Sequence, residues 1–466
     1  MKQSVGTASR VATVRPGRWH RVIPVRWTLL AATVLVTCGS ADGQPVRFGA
    51  ADDPSEKVDL RLWSDDNTVD VLAGFSLIGP TWRSATSVTA GFSTPNLTAR
   101  LQSTFRTGLD GSYGPDFDES YDVLRQIDFV RFKLQSRNAL YARVGAIPRV
   151  RLGTGHLVNF FNSTVAWDER TIGAEFSWQA RVVELSAFTD NVVIDGVSGG
   201  RLAIRPLQWS DDARARTLTL GVNYVTDVSG SADFRRPVLA GYNVDISFVA
   251  AFVGEAALRP FASVAVIDGG GGGMGIGADF MSDNFVDVAR FNLRLALYYN
   301  SRGFRPGYVG SFYQVENPKA RIRRSEDFEN PTQLVGIALP DSEPGNDLET
   351  ELRFLIFDRF ELWYNFRRHF GLQSLSEYHL RLFFRTDKLR AQFGQDRAGL
   401  RGFFTLFNDL GDQTALVFQT DYNFRKKLWL VVRSRYTYQR RDAEDGMERY
   451  LVQRRFEPLF GLRVRF

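Results

Sequence analysis

The sequence predicts an all-β fold: a single transmembrane antiparallel up-and-down β-barrel of about 16–22 strands, preceded by a cleaved signal peptide. Three observations carry this. Short segments alternate apolar and polar residues with period two, as strands with one oily face do. The chain ends on such a strand. It begins with a segment built like a secretory leader. After that leader no run of about 18 apolar residues occurs, so helical membrane spans are excluded. A mean hydropathy of −0.20, with 37 Phe and 41 Gly among 466 residues, suits strands and turns.

The leader comes first. Residues 1–26 carry Lys2, Arg10, Arg15, Arg18, Arg21 and Arg26 and no acid. Trp27 to Cys38 is a run of twelve largely apolar residues, followed by Gly39, Ser40, Ala41, Asp42 and Gly43. A basic region, a short apolar region and small residues at a cut describe a signal peptide over residues 1–43, cleaved after Ala41 or Gly43. Residues 44–56 are then an N-terminal periplasmic segment, and residues 57–466 the barrel. Cys38 is the only cysteine, so the mature chain has no disulfide and no cysteine metal site. Leu35-Val36-Thr37-Cys38 loosely resembles a lipoprotein box, but Thr37 is larger than the residue usual there. Lipidation of Cys38 and its loss with the leader both stay open.

The basic pI of 9.4 misleads. Without residues 1–43 the chain has 52 basic and 51 acidic residues, a net charge of +1. That balance gives no electrostatic case for nucleic acid.

From residue 57 the alternation sets in. Val58, Leu60 and Leu62 face opposite to Asp59 and Arg61, and Val69, Val71, Ala73, Phe75 and Leu77 follow. Leu97–Leu101, Ile172–Trp178 and Leu218–Tyr224 repeat the pattern. The cleanest case is Phe291, Leu293, Leu295, Leu297 and Tyr299 against Arg290, Asn292 and Arg294. Later segments are centred on Leu352, Leu382, Phe418 and Leu430, the last extending its oily row to Tyr436 and Tyr438. Turn clusters are expected at residues 136–138, at Gly199-Gly200 and at residues 408–412. Residues 317–347, rich in Pro, Asn and charge, form the longest irregular stretch, either an outer loop or a constriction folded into the lumen. Residues 333–339 within it suit a further short strand. The glycines between Tyr141 and His156 suggest close backbone approach where the wall meets a plug or loop.

The last strand has Phe460, Leu462, Val464 and Phe466 on one face and Gly461, Arg463 and Arg465 on the other. This ending resembles the C-terminal assembly signal of bacterial outer-membrane β-barrel proteins, with its terminal aromatic and alternating apolar positions. The resemblance implies insertion by the barrel-assembly machinery into the outer membrane of a Gram-negative-type bacterium. It also implies an oily face against lipid and a polar face toward the lumen. With Phe466 periplasmic, residues 425–427 form a periplasmic turn and residues 440–448 an outer loop.

Motifs for catalysis fail on context. Gly196-Val197-Ser198-Gly199-Gly200 fits a nucleophile elbow by letters, but a strand pattern follows where the elbow needs a helix, so a glycine-rich hairpin turn is expected. Gly270, Gly272 and Gly275 likewise lead into a strand rather than the helix a dinucleotide needs, and read as a turn or strand entrance. His156, His369 and His379 lack metal-ligand spacing. No cofactor, no metal and no enzyme activity is therefore expected.

The candidate lumen-lining residues are Arg290, Arg294, Glu349, Glu351, Arg381, Arg385, Asp421, Arg433, Arg435, Arg463 and Arg465. In a pore such charges bias ion passage; otherwise they brace the wall through ion pairs. The expected function is a porin-like channel for small polar solutes or ions, with mild anion preference. A non-conducting structural or surface-binding barrel and a barrel-embedded hydrolase are the alternatives. A homo-oligomer is left open.

Overall fold

In the computed structural model the described residues are 67–134, 139–228, 239–253, 256–285, 288–316, 342–357, 359–371, 376–400, 410, 413–442 and 448–466. Contacts divide the chain into Met1–Gln44 and Pro45–Phe466, and every described residue lies in the second unit. The leader, Cys38, the 44–56 segment, the strand expected at Val58–Leu62, the turn expected at 136–138 and the strand expected at 333–339 lie outside the described residues. So do most of the 408–412 turn and residues 317–341.

The strands run β1 (Thr68–Ile78), β2 (Thr81–Ser93), β3 (Leu97–Gly108), β4 (Gly111–Ser112), β5 (Ile127–Leu134), β6 (Ala139–Gly145) and β7 (Gly173–Gln179). Next come β8 (Val183–Thr189), β9 (Val197–Ile204), β10 (Thr219–Asp227), β11 (Leu239–Ser247), β12 (Ala251–Val253), β13 (Ala256–Ile267) and β14 (Gly272–Phe285). The series ends with β15 (Ala289–Asn300), β16 (Gly345–Ile356), β17 (Phe360–Phe370), β18 (Ser376–Arg385), β19 (Leu389–Leu400), β20 (Thr414–Arg425), β21 (Leu428–Asp442) and β22 (Glu448–Arg465).

Among the described residues the strands pair antiparallel, and β22 returns to β1 in a register that sets Asp70 opposite Arg463 and Leu72 opposite Gly461. β4 and β12 pair only with β3 and β13, so among the described residues the other 20 strands close one ring. Closure leaves no row of unpaired backbone groups, which is what permits strands to sit in hydrocarbon. The apolar face points outward all round. Leu295 and Leu297 are each 52% exposed and Phe460 49%, while Arg294 beside them is buried. An outer surface this apolar is untenable in water and satisfied by lipid. The fold is a closed antiparallel transmembrane β-barrel.

Three sequence expectations need correction. Gly199 and Gly200 lie inside β9 rather than in a turn, which falls earlier, at residues 191–196. A Cβ on Gly199 would sit 2.7 Å from the Phe188 ring, so the glycine makes room for that ring against the wall. Tyr438 does not continue the outer oily row: it is fully buried with Phe312, Val315, Val165 and Ala166. Nor is the inner face polar throughout, because Phe188, Val197, Val225, Leu239, Ala265 and Ile267 from β8, β9, β10, β11 and β13 form an oily inner wall. Something apolar has to cover that wall.

Candidate functional site

Two chain segments fold inward and cover it. The first, residues 146–172, joins β6 to β7; the second begins after β15 and is described over residues 301–316. Ile147, Val150, Leu152, Leu157, Val158 and Phe161 of the first meet Phe304, Tyr308, Val309 and Tyr313 of the second, and both pack on the oily wall. Leaving these side chains in the lumen water would cost roughly 1.5–3 kcal/mol each. Their backbones pair as well: Gly307 N–H donates to His156 O at 2.9 Å and Val309 N–H to Leu157 O at 3.1 Å. Together they make a plug.

Gly145 marks where wall becomes plug. Its φ of 142° is one that L side chains rarely adopt, and a Cβ there would stand 2.6 Å from Phe129 Cα on β5. The sequence expectation of close approach in this stretch is met at that glycine. β14 uses glycine in the same way: Cβ atoms on Gly275 and Gly277 would lie 2.5 Å from the Tyr298 and Phe261 rings. The Gly270–Gly275 run is thus a turn running into a strand, with no helix to receive a dinucleotide.

The plug's other side faces a charged wall, which holds it by polar contacts. Arg151 pairs with Glu351, Asn159 donates to Glu349 at 3.2 Å, and Asn162 to Asp396 at 3.3 Å. Asp168 accepts from Arg455 at 2.5 Å and from Tyr113 Oη at 2.9 Å. Trp167 N–H donates to Thr437 Oγ1 at 2.9 Å, and Arg305 pairs with Glu377. Phe160, held at a positive φ of 57°, stacks on His379 with centroids 4.1 Å apart.

Between the plug and this wall a cavity of about 120 Å³ remains unfilled. Its charged lining is Arg100, Arg143, Arg381 and Arg435 against Asp128 and Asp396. Arg381 forks onto Asp396 through two bonds of 2.9 Å, and Arg100 Nε lies 3.4 Å from Asp128.

The structure puts the sequence-derived residues to several uses. Arg294 pairs with Asp279 at 2.9 Å. Glu349 accepts from Tyr298, Asn365 and Arg367, and Glu351 from Arg151 and Asn365. Asp421 and Arg463 pair at 2.8 Å. Arg433 donates to Ser87 Oγ at 3.3 Å, and Arg435 lies over the Trp167 ring with its Cζ 3.4 Å from the centroid. Arg385 is half-buried, while Arg290 and Arg465, at the ends of their strands, are exposed. Phe460, Leu462, Val464 and Phe466 all face outward, Phe466 72% exposed. Of the residues proposed for the lumen, only Arg381 and Arg435 border the unfilled space. Arg100, Arg143 and Trp167 were missed. Arg100 sits in an alternating segment that the sequence does show, but Trp167 lies in a loop with no period to mark it.

Among the described residues no histidine is set in a hydrolytic relay. Ser311 Oγ and Asp396 Oδ1 both approach His379 Nδ1, at 3.3 and 2.8 Å, whereas a relay needs them on opposite ring nitrogens. His156 is fully buried, its Nδ1 3.0 Å from Ser263 Oγ, and burial pushes its pKa down to about 3. Ser198 bonds Thr189 Oγ1 at 3.0 Å. Among the described residues no group of three His, Cys, Asp or Glu is set to hold a metal ion.

No protein-family model matches the chain, and no curated protein does. Solved structures with a similar course include OccK9 (OpdG) of Pseudomonas aeruginosa, at 10% identity over 85% of this chain and 98% of that one, TM-score 0.32. OpdK, an outer membrane protein of the same organism, follows at 8% identity over 86% and 99%, TM-score 0.30. A Rhodopseudomonas blastica porin mutant gives 10% identity over 86% and 99%, TM-score 0.26. What this chain does has to be judged from its own geometry.

Proposed function

We propose that this chain is a porin-like outer-membrane channel, passing small polar solutes or ions through the space between plug and charged wall. The observation that carries it is that unfilled space. The plug is packed tightly on the oily side of the lumen, yet on the other side it leaves a cleft whose charged lining is four arginines and two carboxylates. The excess of fixed positive charge favours anions. The terminal strand with Phe466 is proposed as the signal recognised by the barrel-assembly machinery, and the mature chain as free of its leader.

Conductance of the refolded protein in a planar bilayer is the test. Stable single-channel steps with a reversal potential favouring anions are expected. A folded, heat-modifiable but silent barrel would overturn the channel reading. It would favour a non-conducting surface barrel, the reading that suits how much of the lumen the two plug segments occupy.

A further inference from the structure

Among the described residues Arg435 is an inner cation with no carboxylate and no hydrogen-bond acceptor of the wall beside it. It is nine-tenths buried, on β21, and borders the unfilled space. Among the described residues it makes no ion pair and no hydrogen bond, and its Nε is sealed from solvent without an acceptor. By contrast Arg294, Arg381, Arg455 and Arg463 each pair with a carboxylate of the inner wall or plug.

Its surroundings sharpen the contrast. The charges nearest in effect are Glu457 and the guanidinium groups of Arg433, Arg455 and Arg170. Glu457 already accepts from Arg106 at 2.7 Å and Ser76 at 2.9 Å. Arg435 is instead laid over Trp167, a ring that Arg170 also approaches at 4.3 Å. A cation over an indole gains far less than a buried, unpaired charge costs. A planar guanidinium with free N–H groups matches the two oxygens of an oxyanion.

We infer that Arg435, backed by Trp167 where the plug meets the wall, is a binding site for the oxyanion group of a small solute, a carboxylate or a phosphate. This rests on the channel reading, since such a solute has to reach the cleft. It goes beyond a general charge bias: a solute pairs with one arginine and is then released, and chloride, a point charge, is a poor substitute.

Binding is measured on the refolded full chain in detergent by tryptophan fluorescence at constant ionic strength, with acetate, inorganic phosphate and chloride as separate probes. A saturable change is expected for acetate or phosphate at concentrations about tenfold or more below chloride. Which of the two saturates first identifies the group. Trp167→Phe should remove the signal. Arg435→Met should abolish saturation; if that variant does not fold, Arg435→Lys keeps the charge and should weaken oxyanion binding about tenfold while leaving chloride unchanged. Equal responses to all three anions, or saturation that survives Arg435→Lys undiminished, would overturn the site. Because fluorescence does not depend on conduction, a silent barrel that still binds refutes the channel and keeps the site, and a conducting barrel that does not bind refutes the site alone.

Discussion

Arg463 on the last strand grips Asp70 on the first through two parallel bonds, Nε to Oδ1 at 2.8 Å and Nη2 to Oδ2 at 2.7 Å. The two residues face each other in the register that closes the ring, and Asp421 on β20 accepts from the same Nη2 at 2.8 Å. A fork of this kind holds the seam in one register, since a slip of one residue would turn Arg463 toward lipid. Asp70→Asn should lower stability by about 3 kcal/mol, because it leaves Arg463 only half compensated. Combining Asp70→Asn, Arg463→Met and Asp421→Asn should recover most of that loss. Denaturant unfolding in detergent reads both values.

The plug is tied to the wall at Asp168, between Arg455 and Tyr113. Asp168→Ala leaves the Arg455 guanidinium buried opposite an empty place, a loss of roughly 3–5 kcal/mol from plug docking. Noisier, larger single-channel steps are expected, together with faster trypsin cleavage after Arg170. Steps and cleavage identical to the parent's would mean that the oily wall alone holds the plug.

His156 makes the plug sensitive to acid. Burial first, and then the Arg367 charge, push its pKa from 6.5 down to about 3. Between those values the unfolded chain binds a proton that the folded plug refuses. Stability is therefore present above pH 6.5 and declines as pH falls toward 3, by at most about 1.4 kcal/mol per pH unit. His156→Gln should flatten that part of the profile. Parent and variant thermal unfolding compared at pH 7 and pH 4.5 gives the difference.

Asp190, just after β8, titrates the other way. Burial raises its carboxyl to about 7; the Gln314 amide at 3.0 Å opposes this, and Asp227 adds to it. Between pH 3.8 and pH 7 the folded state keeps a proton that the unfolded chain has lost, so this contribution is full below 3.8 and gone once pH has risen through 7. Asp190→Asn should therefore stabilise by at least ~1 kcal/mol at pH 8 and make little difference at about pH 3.5. Melting points of the two proteins at both pH values decide it.

Gly275→Val should cost about 1–3 kcal/mol, since its side chain would enter the Tyr298 ring, whose hydroxyl is fixed to Glu349 at 2.9 Å. Gly200→Ser, also within a strand and with only ordinary contacts around its Cβ, serves as the comparison for simple loss of glycine.

How far the sequence could be read depends on what encodes each feature. The alternation of Phe291–Tyr299, or of Phe460–Phe466, states which face is oily, because in a strand that face is a local property with period two. Neighbours such as β8 and β9 were harder, since their inner faces carry Phe188 and Gly199 where a simple barrel would show polar residues. Of the two glycines that looked like a turn, Gly199 is there to admit that ring.

The chain by itself determined its class: alternating strands with one oily face, about 16–22 of them, and a last strand built in the same way; that 20 close, with Arg463 opposite Asp70 at the seam, is decided in three dimensions. Tertiary structure decided the rest. That residues 146–172 and 301–316 meet inside the barrel depends on contacts about 150 residues apart, such as Val158 with Val309, which no periodicity announces. Which arginines are neutralised was also settled in three dimensions. Arg381 and Arg435 look alike in sequence, yet one finds Asp396 across the strand pair and the other finds Trp167 of the plug. A charge is made functional or structural by its neighbours, and here those neighbours come from the adjoining strand and from the plug.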